Sequence, residues 1–312
     1  MAGVSRYAVL GFMADWGKLA VKENVPLAGF TTWKVGGPAR WYAEPVAEEV
    51  PEYLARAAGM GIPVYILGRG SNVLVLDGGL DGLVLHGWKS LVDIRQVQDG
   101  LVEAAAGAPL PRLSRFVADL GCSGFEFLIG IPGTVGGGVV MNAGLRVPWV
   151  REVSDVLDSV DVVDDSSGEL LTFPAMECGM AYRTSRFQAA GQFVLRARFR
   201  LEDFSKSREA IRRLTAHHLE ERRVKQPLSK QTAGSTFKQV ASGPATGWYI
   251  DKAGMKGARV GGAVVSPKHA NWIETDKGAK AADVLGLMDL VMENVEGKFG
   301  VRLEPEVQVL GK

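Results

Sequence analysis

The sequence predicts an α+β protein of three units, and three observations carry that prediction. Helix-spaced and strand-like segments alternate up to about Leu201. Two glycine-rich stretches, Leu67-Gly68-Arg69-Gly70-Ser71-Asn72 and Gly130-Ile131-Pro132-Gly133-Thr134-Val135-Gly136-Gly137-Gly138, each lie close to an apolar β-like run. Glu202-Asp203-Phe204-Ser205 then breaks the pattern, and a long basic helix and a separate mixed segment follow. A chain of 312 residues is long enough for two or three domains with a large core.

In order, residues 1 to about 24 form a weakly patterned lead-in with helical character. Phe30 to Ala39 reads as a strand ending in a turn. Ala47 to Met60 places Val50, Leu54, Ala57 and Ala58 near helical spacing and ends at a glycine. Val64–Leu67 is a buried-type strand running into the first glycine loop, and Gly82–His86 is another short strand. Leu101–Ala106 opens the second unit, and Leu110–Leu120 reads as a helix stopped by Gly121. The second glycine loop and β-rich sequence follow. Ser205–Lys225 is a long helix whose Arg212, Arg213, Arg222 and Arg223 read mostly as a solvated face. The third unit holds a helix near Trp248–Ala253, strands at Ala258–Val265 and Ala270–Ile273, and an amphipathic helix with Val284, Leu287, Met288, Val291 and Val295 on one side. A last strand runs from Val301 to Leu310. The expected divisions are 1–88, 89–204 and 205–312, with the C-terminal tail packing back on the first.

Composition narrows the function. Hydrophobic content of 46%, charged content of 23% and a net charge of +1 are ordinary for a globular protein and give no sign of a nucleic-acid or membrane partner. Cys122 and Cys178 have neither metal-ligand nor disulfide spacing and read as reduced core thiols. No metal site is expected. The N-terminus lacks signal-peptide order and no apolar run is long enough to cross a bilayer, so the expected location is cytoplasmic.

Glycine loops let a ligand approach the main chain closely and can aim successive N–H groups at an anion such as a pyrophosphate. Two such loops look like two walls of one nucleotide-shaped cleft. The usual dinucleotide fingerprint fails, because Gly68-Arg69-Gly70-Ser71-Asn72-Val73 lacks a third glycine and opens no helix. A P-loop, a zincin helix and a Gly-x-Ser-x-Gly elbow are also missing. Any nucleotide cofactor therefore sits on a different scaffold.

Five motifs in order identify that scaffold. They are Leu67-Gly68-Arg69-Gly70-Ser71-Asn72, Gly130-Ile131-Pro132-Gly133-Thr134-Val135-Gly136-Gly137, Tyr182-Arg183-x-Ser185, Gly234-Ser235-Thr236-Phe237-Lys238 and Leu303-Glu304-Pro305-Glu306-Val307. From about Leu27 to Gly311 the chain closely resembles the UDP-N-acetylenolpyruvoylglucosamine reductase family, flavoenzymes of peptidoglycan precursor synthesis. The short segment between Arg183 and Ser235 resembles its type II branch. The resemblance implies a p-cresol methylhydroxylase-type two-part fold with FAD between the first two units, and a C-terminal α+β domain closing over substrate. It implies a monomer and a reaction in two halves. NADPH reduces FAD; hydride then passes to the vinyl carbon of UDP-N-acetylglucosamine enolpyruvate, and a proton completes UDP-N-acetylmuramate.

The same resemblance assigns roles. FAD falls to Gly68, Arg69, Gly70, Ser71 and Asn72, and to Gly130, Ile131, Pro132, Gly133, Thr134, Gly136, Gly137 and Asn142. Ser235 matches the proton donor, with Lys238 as a contributor to its environment. Glu306 matches the catalytic glutamate, a role needing its protonated form. Arg183 matches the arginine that clamps the enolpyruvyl carboxylate, with Arg186 as a competitor. Tyr182, Lys225, Gly234, Lys238, Gln239 and His269 fall at substrate positions. Gln239-Val240 departs from the usual Asn-Pro and puts the Gln239 contact in doubt; Gly138 and Trp272 also depart. Two other readings stay open: a flavin oxidase of the same fold, and a nucleotide-binding module without catalysis.

Overall fold

The computed structural model describes residues 14–145, 150–188 and 191–312. The first unit contains β1 (Lys22–Pro26), β2 (Pro38–Ala43), α1 (Val50–Gly59), β3 (Val64–Leu67), β4 (Val73–Val75) and β5 (Leu80–His86). Its sheet has the order β1-β2-β5-β3, with β5 parallel to both neighbours and β1 antiparallel to β2. Every residue of β5 but Asp81 is buried, as expected of a strand covered on both faces. One face packs on Trp41, Tyr53 and Leu54, the other on Leu27, Tyr42 and Leu67.

The second unit contains β6 (Ile94–Gln98), β7 (Leu101–Ala105), α2 (Leu110–Leu120), α3 (Val135–Val140), β8 (Gly144–Leu145), β9 (Arg151–Glu152), β10 (Leu157–Asp164), β11 (Leu170–Pro174) and β12 (Gln192–Arg200). Five of these strands make an antiparallel sheet, β11-β10-β12-β7-β6. Helix α2 buries Leu110, Leu113, Val117 and Ala118 and stops at Gly121, whose φ is +85°. Cys122 and Cys178 are buried free thiols, and burial pushes Cys178 up to about 11.

The third unit contains α4 (Arg208–Lys225), β13 (Thr232–Ser235), α5 (Thr246–Lys252), β14 (Arg259–Val260), β15 (Ala263–Val265), β16 (Trp272–Thr275), α6 (Ala281–Phe299) and β17 (Gln308–Leu310). Its sheet has the order β13-β16-β15-β14. Helix α6 buries the expected stripe of Val284, Leu287, Met288, Val291 and Val295. The first and third units are stitched together. Trp33 Nε1 donates to Ile273 O at 2.8 Å, and Thr275 Oγ1 donates to Trp33 O at 2.6 Å. The Asp77 carboxylate accepts from Ala281 N and Ala282 N at 2.9 and 3.0 Å, satisfying the start of α6. Strand β17 returns to pair in parallel with β4.

Five segment readings need correction. Residues 1–13 of the lead-in lie outside the described residues, and Lys22–Pro26 is a strand rather than helix. Thr31–Gly37 is irregular: Thr31 Oγ1 donates to Val35 O at 2.8 Å, Thr32 N to Gly70 O at 3.0 Å, and Lys34 has φ +58°. The strand there begins only at Pro38. The second glycine stretch is a loop to Thr134 and then helix α3, capped by the Thr134 side chain. Ala258–Val265 is a hairpin, because Gly261 adopts φ +49° between β14 and β15. Val301–Leu310 is extended strand only from Gln308. Before it, Glu306 N turns to Thr236 O and Pro305 makes an isolated bridge with Phe237. A strand over this whole span would put Leu303, Pro305, Val307 and Val309 on one face; instead Leu303 and Val307 are buried while Pro305 and Val309 are exposed.

Candidate active site

The two glycine loops meet. A Cβ on Gly68 would lie 2.7 Å from Thr134 Oγ1, so only glycine allows this approach. Gly70 has φ +62°, and a Cβ there would lie 2.2 Å from Phe30 O. Gly133 also lies near Ser71, at an ordinary contact distance: Ser71 Oγ is 3.7 Å from the position of an added Cβ. Asn72 closes the first loop onto the C-terminal segment: its Nδ2 donates to Glu306 O at 3.2 Å, and its carbonyl accepts from Gln308 N at 2.9 Å.

Arg183 and Glu306 come together from 123 residues apart. Arg183 Nε donates to Glu306 Oε1 at 2.7 Å, and the two side chains are only 14% and 13% exposed. Arg183 Nη2 donates to Gly144 O at 3.0 Å, Nη1 to Asn142 O at 3.4 Å, and Glu152 lies 3.8 Å from Nη1. Its backbone has φ +55°, a conformation uncommon for a long side chain. The turn is held by reciprocal bonds between Ala181 and Thr184 at 3.1 Å and by Ser185 Oγ on Val140 O at 2.8 Å. The competitor, Arg186, lies over the Phe173 ring and donates to Glu177 O.

Ser235 ends β13, opposite Trp272, and the next residue, Thr236, accepts the Glu306 N–H at 2.8 Å. Gly234 before it has φ +82° and open space where a Cβ would stand. Tyr182 Oη accepts from Gln239 N at 3.1 Å, and its ring lies 4.9 Å from the Arg183 guanidinium carbon. The Gln239 side-chain oxygen accepts from Thr246 N at 3.0 Å, starting α5. That engagement gives the departure from Asn a local use.

Other candidates stand apart. Lys238 Nζ pairs with exposed Glu304 at 3.3 Å, and Lys225 pairs with Glu221 one helical turn away at 3.2 Å. The Asn142 side chain is engaged by Glu152, Ala181 O and Ser154 N, so it braces the Arg183 turn. His269 is largely buried, its Nδ1 has no partner, and burial holds its imidazole below the ordinary range.

One residue escaped the sequence reading. Arg222 belongs to the run that reads mostly as a solvated face, yet it is half-buried and its Nη1 is shielded from solvent with no partner. Burial lowers its pKa to about 10. The signal was the spacing Ile211, Thr215, His218, Arg222, which follows the helix face that packs inward. Among the described residues no group of His, Cys, Asp and Glu could hold a metal ion.

Comparison with known proteins identifies the family. The FAD binding domain family matches residues 46–174, and the C-terminal domain of UDP-N-acetylenolpyruvoylglucosamine reductase matches residues 226–310. A UDP-N-acetylenolpyruvoylglucosamine reductase of Synechococcus sp. (strain JA-3-3Ab) is 41% identical over 93% of this chain and 91% of its own. One from Carboxydothermus hydrogenoformans is 41% identical over 94% of each chain. The crystal structure of the Thermus caldophilus reductase covers 94% of this chain and all of its own, with 35% identity and a TM-score of 0.77. The chain is an FAD-containing oxidoreductase of the two-part flavin fold and belongs to the UDP-N-acetylenolpyruvoylglucosamine reductase family.

Proposed function

We propose that this chain reduces UDP-N-acetylglucosamine enolpyruvate to UDP-N-acetylmuramate, with NADPH as reductant, in cytoplasmic peptidoglycan precursor synthesis. The observation that carries this reading is the convergence of Arg183, Glu306 and Ser235 beside the joined glycine loops. The division into 1–88 and 89–204 for the cofactor and 205–312 for the substrate follows from it. No described helix is long and apolar enough to cross a membrane.

The residues present fit FAD. Glycines at the loop contact leave main chain open to a pyrophosphate, where a Cβ on Gly68 would collide with Thr134. When bound, FAD supplies the hydride that adds to the vinyl carbon. The chain supplies position, charge and a proton. Arg183 orients the substrate carboxylate and stabilises the charge gathering there as the enolate forms. To clamp it bidentately, Arg183 must exchange one present contact, and its Nη1 bond to Asn142 O, at 3.4 Å, is the longest. That exchange leaves Glu306 on Arg183 Nε, beside the enolpyruvyl group it assists. Ser235 then delivers its proton to the carbon beside the carboxylate and recovers one from solvent.

The test is one anaerobic cuvette. Yellow protein should be bleached by NADPH and recoloured by the UDP-sugar enolpyruvyl ether. Bleaching without recolouring would assign the fold another electron acceptor. Protein that takes up no FAD would overturn the reading.

A further inference from the structure

We propose that Arg222 and His269 form a buried receptor for a negatively charged, oxygen-bearing group of a bound nucleotide. The inference rests on the functional reading above and adds a binding residue to that site. Arg222 projects from the last turn of α4 against the second glycine loop. A Cβ on Gly130 would lie 2.5 Å from Arg222 Cδ and 2.6 Å from Nη1, so glycine at this position is what admits the guanidinium. One nitrogen is satisfied, since Nε donates to Gln226 Oε1 at 2.8 Å. Nη1 is shielded from solvent with no partner, and among the described residues no carboxylate forms an ion pair with the group.

A buried charge without a counter-charge is costly and is retained where something else supplies the opposite sign. A second unsatisfied atom lies nearby. The segment that carries His269 reaches the same turn of α4, where Lys268 Nζ donates to Arg223 O at 2.5 Å, and His269 Nδ1 is buried there without a partner. The Trp272 ring lies 5.9 Å from the His269 ring, and its buried Nε1 also lacks a partner. Three hydrogen-bonding groups thus wait at the seam between the second glycine loop and the third unit. Anionic oxygens satisfy all three, with guanidinium and indole as donors and the imidazole as a further donor through one ring nitrogen.

Two bound molecules carry that chemistry, FAD and the UDP-sugar, and the experiment separates them. Arg222→Met, Arg222→Lys and Gly130→Ala are compared with the parent for FAD affinity of the apoprotein and for UDP affinity of the holoenzyme. Loss of a charged hydrogen bond should weaken the relevant ligand about tenfold or more in Arg222→Met, with partial recovery in Arg222→Lys. Weaker FAD with unchanged UDP assigns the group to the cofactor; the reverse assigns it to the substrate. Gly130→Ala should shift the same ligand by displacing the guanidinium. The apoprotein of Arg222→Met should melt no lower than the parent, because an uncompensated charge is removed. Affinities for both ligands within about twofold of the parent overturn the proposal. Parent protein that binds no FAD would sink the flavin reading instead, and UDP affinity of the FAD-free protein would then test the receptor.

Discussion

Two buried arginines in this molecule are treated in opposite ways. Arg183 is enclosed by Glu306, Gly144 O and Asn142 O, on a turn whose backbone is itself strained. Arg222 has Gln226 and otherwise an unfilled nitrogen facing the Gly130 loop. The first arrangement fixes a charge in one place; the second, on the proposal above, keeps a place for charge that arrives with a ligand. Exposure alone does not separate the two. Their hydrogen-bond partners do.

The largest effect should come from breaking the first arrangement. Arg183→Ala should slow reoxidation of the reduced enzyme by the enolpyruvyl substrate about 10²–10³-fold, with NADPH consumption in the first half-reaction near the parent rate. Equal losses in both halves would mean the flavin has been misplaced. Arg183→Lys should recover little, because three nitrogens of a planar fork are in use. Next comes the second arrangement, where Arg222→Met weakens a ligand without lowering apoprotein stability. Arg183→Ala should do the opposite to stability, since it leaves Glu306 without that cation. Melting curves of the two apoproteins, side by side, check this contrast.

A smaller effect tests the stitch between units. Trp33→Phe keeps most of the buried ring but removes the donor to Ile273 O, and should cost about 1–2 kcal/mol in urea unfolding. It should also raise the substrate KM more than it lowers the NADPH half-reaction, since β16 carries the partner strand of Ser235. An unchanged KM would confine the stitch to folding.

The smallest effect is the pH dependence. Burial is the largest influence on both His86 and His269 and holds each imidazole below the ordinary 6.5. As pH falls below about 6.5 the unfolded chain binds protons that the folded chain does not, so stability is full above that value and declines below it. His269→Gln should flatten part of this decline in a series of melting curves.

Much of the fold was legible where local patterns decide structure. The buried stripe of α6, the Gly121 stop and the apolar run of β5 all follow from residues near one another in the chain, whereas Val64–Leu67, expected as a buried strand, is an edge strand that buries only Leu67 and exposes Ile66. Distant partners decide the rest. Thr31–Gly37 looks like a strand, but its polar groups bond to each other and to Gly70, and Trp33 is drawn into the third unit. The segment before Gln308 divides its donors between Thr236 and Asn72 and loses strand geometry. The same contacts bring Ser235 toward Glu306, a meeting no spacing could foretell; the motifs nominated the residues but could not give their arrangement. Arg222 was hidden by its neighbours Glu220, Glu221 and Arg223, which make the run look solvated, although its helical register pointed inward.

The central claim is that Ser235, placed beside the Arg183–Glu306 pair, delivers the proton that completes reduction. Stopped-flow absorbance of Ser235→Ala tests it most directly. The account predicts bleaching by NADPH at the parent rate, followed by recolouring with the enolpyruvyl substrate slowed about 10²–10⁴-fold. Recolouring at the parent rate would contradict it.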